Sequence, residues 1–392
     1  MNSALLDQLR ERFPRVAIVH EWLTIPGGSE DVVIELLKMF PQAELFTTIY
    51  DPSPWPELIK ERPVHASFLN RIPGARRHYP KLLPLMNRAF RSFDLSDFDL
   101  VLSSNHACAK NVRTRPGTLH VCYCHTPMRY AWEEGFLDGE EVGRLTRLLL
   151  PALLRRLRRQ DLAGSSGPDV FVANSRHVAG RIERYYGRSA EVVHPPVDVD
   201  HFLTLPRDAE DFYLVFGRVV PYKRVDLAVA ACARIGRRIK VAGDGRAMQA
   251  VSAEAQGHDE IELLGRVAET ERDRLLGSAR ALLFPGEEDF GIVPVEAQAA
   301  GAPVIAYGVG GAVESVLDGR TGVLFYEQSV AGLMAAIERF EGLDLDGDGA
   351  RENAKRFGQD RFRTGMAAVI DRASRTFTGA EREALAGASG RP

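Results

Sequence analysis

This 392-residue chain has no run of about 18 apolar residues, so no segment is expected to cross a membrane as a helix. It has no excess of one charge either. Fifty Lys and Arg against 53 Asp and Glu leave a net charge of −3, and a nucleic-acid partner, which requires a strongly basic surface, is not expected. Cysteine is scarce, at four residues. Cys122 and Cys124, in "HVCYCHT", are spaced C-x-C with no second pair downstream. Even with His106 and His120 nearby this is not a zinc pattern, and the thiols read as buried structural groups of a reducing compartment. The Asp-x-Asp spacings in "DLSDFD" and "DLDGDG" fall in loops, and "LDLDGDGAREN" (343–353) lacks the spaced glutamate of a calcium loop. No metal and no cofactor are therefore expected. The first residues, "MNSALLDQLRERFPR", interrupt any apolar stretch with Asp7, Arg10, Glu11 and Arg12. No signal peptide is expected, and the location is read as cytoplasmic.

What is present is a regular alternation of short apolar runs and helical patterns. In the first half, "RVAIVHEWL", "AELFTTIY", "DLVLSSN", "LHVCYC", "DVFVANS" and "AEVVHPP" read as strands. "EDVVIELLKMF" and "RHVAGRIERYYG" have helical spacing, the latter closed by Gly187. In "HVCYCHT" a period of two puts Cys122 and Cys124 on one face and Tyr123 and His125 on the other. In the second half "FYLVFG", "IKVAGDG", "IELLGRV", "ALLFPG", "PVIAYG" and "GVLFY" read as strands separated by helices. The fold class is thus α/β, two doubly wound parallel sheets covered on both faces. The Pro- and Asp-rich "HPPVDVDHFLTLPRDAED" places the boundary near residue 205. The expected domains are 1–205 and 206–375, with a polar, frayed tail at 376–392. Ligands in such sheets sit beyond the carboxyl ends of the strands.

Two stretches carry the chemistry. "GRVVPYKR" follows the strand "FYLVFG": Gly217 allows the turn, and Arg218 and Lys223 put two cations near a helix start, as a diphosphate requires. A solvated Arg and Lys in a loop would look the same. "EEDFGIVPVEAQAAG" (287–301) follows the strand "ALLFPG". Pro294 suits the first helical position and Gly301 the position after the last, giving a helix over 294–300 with Glu296 in its first turn. Glu288 precedes it in the loop, and the Gly291 region lets the backbone approach a ligand. Stabilisation of the helix dipole by Glu296 alone would not account for Glu288, Gly291 and Pro294 together.

The combination of "GRVVPYK" with "EEDFGIVPVEAQAAGAPVIA" resembles the GT4 family of retaining glycosyltransferases, from about residue 15 to 375. Asn174-Ser175, "HPPVD" at 194–198 and "AGDG" at 242–245 also look like its signatures. "YCHTPMRYAWE" and "DFGIVPVEAQAAG" look most like the WbaZ-like mannosyltransferases of bacterial polysaccharide assembly. The resemblance implies a GT-B fold, two Rossmann-like domains facing a central cleft. It implies metal-independent transfer of a hexose, mannose from GDP-mannose, to a lipid-linked saccharide acceptor, with retention of configuration. By the same resemblance Arg218 and Lys223 hold the donor diphosphate and Glu296 the ribose hydroxyls. Glu288 and the N–H groups around Phe290, Gly291 and Ile292 hold the sugar, and Arg266 and Val267 lie against the base. Gly27 and Gly28, after the first strand, approach the phosphates, where Ser29 or Glu30 caps the helix or meets the acceptor. His125 lies beside the donor sugar. The resemblance implies catalytic roles for His125, Glu288, Arg218 and Lys223. The rival readings are another GT-B enzyme, with a different nucleotide-sugar donor or as a nucleotide-sugar epimerase or a phosphorylase (for which no motif of a pyridoxal-bearing lysine is present), and a catalytically silent sugar-nucleotide sensor.

Residues 71–93 and 144–159 interleave Arg and Lys with Leu, Phe and Tyr. Either they are solvated faces covering the first domain, or they touch anionic headgroups of a membrane.

Overall fold

The computed structural model describes residues 3–133 and 144–377, with side chains omitted for Ser3 and 144–149. It divides into two units, one of residues 1–196 with 362–392 and one of residues 197–361.

The first unit is built on seven parallel strands in the order β3-β2-β1-β4-β5-β6-β7. They are β1 Val16–His20, β2 Glu44–Thr47, β3 Val64–Ala66, β4 Leu100–Asn105, β5 Leu119–Cys124, β6 Val170–Ala173 and β7 Ala190–Val192. Strands β1, β4 and β5 are buried along their whole length, as strands covered on both faces must be. Only β3 was not legible in the sequence. It is a three-residue edge with no apolar run. The second unit repeats the plan with six parallel strands, β10-β9-β8-β11-β12-β13. These are β8 Tyr213–Phe216, β9 Ile239–Ala242, β10 Ile261–Gly265, β11 Ala281–Phe284, β12 Val304–Tyr307 and β13 Gly322–Phe325. In each sheet the chain starts in the middle, runs to one edge and returns. The order reverses between β1 and β4 in the first, and between β8 and β11 in the second.

The units part at 196/197, about nine residues before the expected boundary near 205, and the second does not run on to 375. The helix Gln359–Thr376 starts at the end of the second unit and crosses back. Phe362, Met366, Val369 and Ile370 on its apolar face are buried in the same cluster as Ile18, Leu102 and Tyr123. At roughly 25 cal/mol per Å² of apolar surface, such burial fixes a helix to a sheet whatever its place in the chain. The tail expected from 376 lies outside the described residues beyond 377.

Local signals account for the helix ends near the site. Ser175 caps Arg176–Tyr186, its hydroxyl accepting from the Val178 N–H at 3.1 Å. Gly187 closes that helix at φ 63°. All four cysteines are buried free thiols, and Cys122 and Cys124 share a cluster while Tyr123 faces another, as the period of two requires.

Candidate active site

In the second unit the switch point between β8 and β11 is where the two sequence-selected stretches emerge. The loop after β8 runs from Gly217 through the turn Pro221–Lys223, and the loop after β11 from Pro285 to Gly291. They touch closely. A Cβ on Gly286 would come within 2.6 Å of the Lys223 Cα, so only glycine lets the loops approach this far. The approach sets Lys223 Nζ 2.7 Å from Glu288 Oε1, both side chains mostly buried. Arg218 is exposed, its guanidinium 3.4 Å from the Tyr222 hydroxyl. Beyond Glu288 the chain is pinned by the Gly311 N–H, which donates to the Glu288 carbonyl at 2.8 Å. Gly291 then takes φ 87° and caps the helix Ile292–Ala299. That left-handed conformation favours glycine.

The helix starts two residues earlier than the sequence suggested. Pro294 is its third residue, not its first. This is tolerated because the first four N–H groups of a helix have no intrahelical partner. Glu296 is consequently the fifth residue and lies past the first turn, half-buried. Gly301 does follow the helix in the left-handed region, at φ 87°. Phe290 is buried in the core against Phe357, so its side chain does not face a ligand. Arg266 is exposed, 3.6 Å from Asp244, while Val267 packs on the core.

In the first unit the polar groups gather where β1, β4 and β5 end. His20 and Ser104 are register partners on adjacent strands. His20 Nδ1 lies 3.1 Å from Ser104 Oγ, which lies 2.8 Å from His125 Nε2. His20 Nε2 is 3.0 Å from Glu30 Oε1. Burial, and then repulsion from His106 and His20, hold His125 well below the usual histidine range. Its position is fixed by its backbone: its N–H donates to the Asn105 carbonyl at 2.8 Å, and its carbonyl accepts from Asn174 Nδ2 at 2.9 Å. Beside it the fully buried Glu21 collects the N–H groups of Ala107, Cys108 and Ala109 on Oε1, at 2.8, 2.6 and 2.9 Å. Gly27 caps the helix Gly28–Met39 in an extended conformation. Neither Ser29 nor Glu30 caps it. The Ser29 hydroxyl donates to Glu30 Oε2 at 2.9 Å, and Glu30 turns inward to His20.

Residues 198–360 match the model of the glycosyl transferases group 1, and residues 26–201 that of Glycosyltransferase Family 4. Each half of the chain is thus similar to a glycosyltransferase domain, and neither match alone covers half of its length. Its GT-B fold is shared with solved structures at low identity. Sucrose-phosphate synthase from Thermosynechococcus elongatus aligns with a TM-score of 0.70 and 17% identity over 93% of this chain and 100% of that one. A lipopolysaccharide outer core galactosyltransferase, WaaB, aligns at 0.65 and 18% over 91% and 99%. Anabaena HepE, solved with UDP and glucose, aligns at 0.64 and 17% over 91% and 99%. Among curated proteins, a D-inositol 3-phosphate glycosyltransferase of Streptomyces bingchenggensis is 30% identical over 57% of this chain and 56% of its own length. The matches to curated relatives of this name span between 40% and 56% of those proteins' length.

The structure joins two residues that the sequence had kept apart. Lys223 was read with the diphosphate and Glu288 with the sugar, yet they form one ion pair. Sequence reasoning missed His20, Glu21 and Ser104. A signal was there, since "VHE" ends an apolar strand with two polar groups that then have to be buried. Ser104, a small polar residue in "LVLSSN", carried none.

Proposed function

We propose that this protein transfers a hexose from a nucleoside-diphosphate sugar to an acceptor hydroxyl, without a metal and with retention of anomeric configuration. The single observation that supports this reading is the Lys223–Glu288 pair at the switch point between β8 and β11, where a doubly wound sheet takes its ligand. In this reading Lys223 and Arg218 receive the diphosphate and meet the charge that develops as the bond from sugar C1 to phosphate oxygen breaks. The acceptor oxygen forms the new bond to C1, and its proton leaves. Glu288 and the N–H groups of Phe290, Gly291 and Ile292 hold the sugar. Glu296 takes the ribose hydroxyls, and the backbone at Arg266 and Val267 lies against the base. By the motif resemblance alone, His125 meets the sugar, and the loop of Gly27 and Gly28 the phosphates and the acceptor. The donor is GDP-mannose and the acceptor a lipid-linked saccharide, on the resemblance of the sequence motifs.

A matrix of donors and acceptors tests this. GDP-mannose, UDP-glucose and ADP-glucose are each incubated with a lipid-linked saccharide or D-inositol 3-phosphate, in the presence of EDTA. Release of GDP dependent on the lipid-linked acceptor is expected. Transfer only to D-inositol 3-phosphate would move the acceptor to the one in the curated relatives' name. Epimerised donor without transfer, or tight nucleotide binding with no turnover, would overturn the reading.

A membrane contact of the first unit is favoured by one surface. Phe68, Ile72 and Leu85 are 42%, 38% and 44% exposed, among the exposed Arg71, Arg76, Arg77, Lys81, Arg88 and Arg91. Arg88, Arg91 and Arg113 also line a pocket of about 390 Å³. The second stretch supports it less. Leu153, Leu154 and Leu157 of the helix Arg144–Gly164 pack inward on the core, leaving Arg155, Arg156 and Arg159 outside. Each basic residue near an anionic surface contributes about 1 kcal/mol. Cosedimentation with anionic vesicles should exceed that with neutral ones and fall with salt. Arg76, Arg77, Arg88 and Arg91 changed together to Gln should abolish the difference, and indifference to lipid charge would remove this role.

A further inference from the structure

Four side chains of the first unit form one unbranched line, Glu30–His20–Ser104–His125, with separations of 3.0, 3.1 and 2.8 Å. His20, Glu30 and Ser104 are buried, at 0%, 5% and 0% exposure. Only two side chains, His20 and Ser104, separate the carboxylate from His125, and the tertiary fold alone aligns them. His20 ends β1, Ser104 sits in β4, His125 follows β5, and Glu30 is in the first turn of the next helix.

The hydrogen count along this line is constrained. Ser104 has one hydroxyl proton and an imidazole nitrogen on each side. If it donates to one nitrogen, the other must donate to it. The Glu30 end sets the direction. Its side chain, in the first turn of the helix Gly28–Met39, is a carboxylate and as such only accepts. It accepts from Ser29 and, on Oε1, from the His20 Nε2–H. A neutral His20 then presents a bare Nδ1 and accepts from the Ser104 hydroxyl. The Ser104 oxygen in turn accepts from His125 Nε2–H. A neutral His125 is left with its lone pair on Nδ1, and that atom has no hydrogen-bond partner among the described residues.

We propose that Glu30, His20 and Ser104 are positioning residues that fix His125 in the Nε2–H tautomer, so that Nδ1 faces the ligand as a hydrogen-bond acceptor. The ligand class is a hydroxyl donor, such as a sugar hydroxyl, and this part rests on the glycosyltransferase reading. The tautomer itself does not. A second proton on His20 would leave its Nε2–H on Glu30 but reverse both bonds at Ser104, handing the Ser104 proton to His125 Nε2, so the line has one productive polarity. His106 and Tyr123 are the other rings facing His125, at centroid separations of 6.3 and 5.1 Å, and neither is hydrogen-bonded to it.

The test is nitrogen NMR on protein labelled at histidine, which reads each ring nitrogen as protonated or bare without substrate or turnover. In the wild type, and in Ser104→Thr, which keeps the hydroxyl, His125 should show a single species with protonated Nε2 and bare Nδ1. In Ser104→Ala and in Glu30→Ala a second tautomer should appear, with the other histidine signals and the fold retained. In the glycosyltransfer assay, Ser104→Ala should lower kcat on the order of tenfold with little change in donor KM, and Ser104→Thr should restore it. A proton on His125 Nδ1 in the wild type overturns the proposal. So does a tautomer balance indifferent to both alanine variants. If no transfer is detected with any donor while the tautomer results hold, the functional reading fails and the relay stands.

Discussion

Lys223 Nζ lies 2.7 Å from Glu288 Oε1, and the two residues come from loops 65 positions apart that meet only because Gly286 has no side chain. The pair is a cation with its counter-charge already in place. An anionic ligand arriving at Lys223 therefore competes with Glu288, and a neutral ligand finds a donor and an acceptor side by side.

Glu288→Gln removes the competing charge and keeps the shape. Affinity for a nucleoside diphosphate should hold or rise up to about fivefold, the value of an ion pair of about 1 kcal/mol. Turnover should fall. Calorimetry alongside steady-state rates checks both, and a loss of diphosphate affinity would show that Glu288 itself grips the nucleotide.

Arg218→Ala and Lys223→Ala should weaken binding of a nucleoside diphosphate by about 1.5–3 kcal/mol each, the range for a charge-assisted hydrogen bond, and barely touch binding of the free nucleoside. Glu296→Ala should weaken both ligands alike, because it is assigned to the ribose. Titration calorimetry with each ligand separates the two patterns. Equal losses for Arg218→Ala on both ligands would remove it from the diphosphate.

His125 is held neutral by burial and by His106 and His20. The folded state thus refuses a proton that the unfolded chain accepts below its ordinary pKa of about 6.5. Stability is full above that pH and is lost as pH falls below it, by at most about 1.4 kcal/mol per pH unit from this group. Thermal unfolding between pH 7.5 and 5 should show the decline, and His125→Asn should flatten it. An unchanged slope in the variant would assign the acid sensitivity to other groups.

Lys110 and Asp161 form a fully buried ion pair in direct contact. Asp161 also accepts from Trp132 Nε1 at 2.6 Å and the Tyr186 hydroxyl at 2.8 Å. Asp161→Ala should cost about 3–5 kcal/mol, since it strands a buried ammonium. Lys110→Met combined with Asp161→Leu should recover part of that loss. Urea unfolding of the two variants gives the comparison, and a double variant less stable than Asp161→Ala would contradict it.

Much of this protein was written in local pattern. Twelve of the thirteen strands among the described residues show as short runs rich in apolar residues, most clearly β1, β4 and β5, because a strand buried on both faces is largely apolar. Arg218, Lys223, Glu288 and Gly291 were legible because each follows such a run within about ten residues, and a parallel sheet puts every such loop at the same edge. The sequence could not decide which loops meet. Strand order did that, by placing β8 beside β11, so that Lys223 found Glu288, and β1 beside β4, so that His20 found Ser104. Nor could it assign the helix Gln359–Thr376, which follows the second unit in the chain but buries Phe362 and Met366 in the first. Periodicity reports which face of an element is apolar, and it is silent about the surface that covers that face. Adjacency across tens to hundreds of residues comes from packing, and in this molecule packing alone turned scattered polar residues into an ion pair and a four-residue relay.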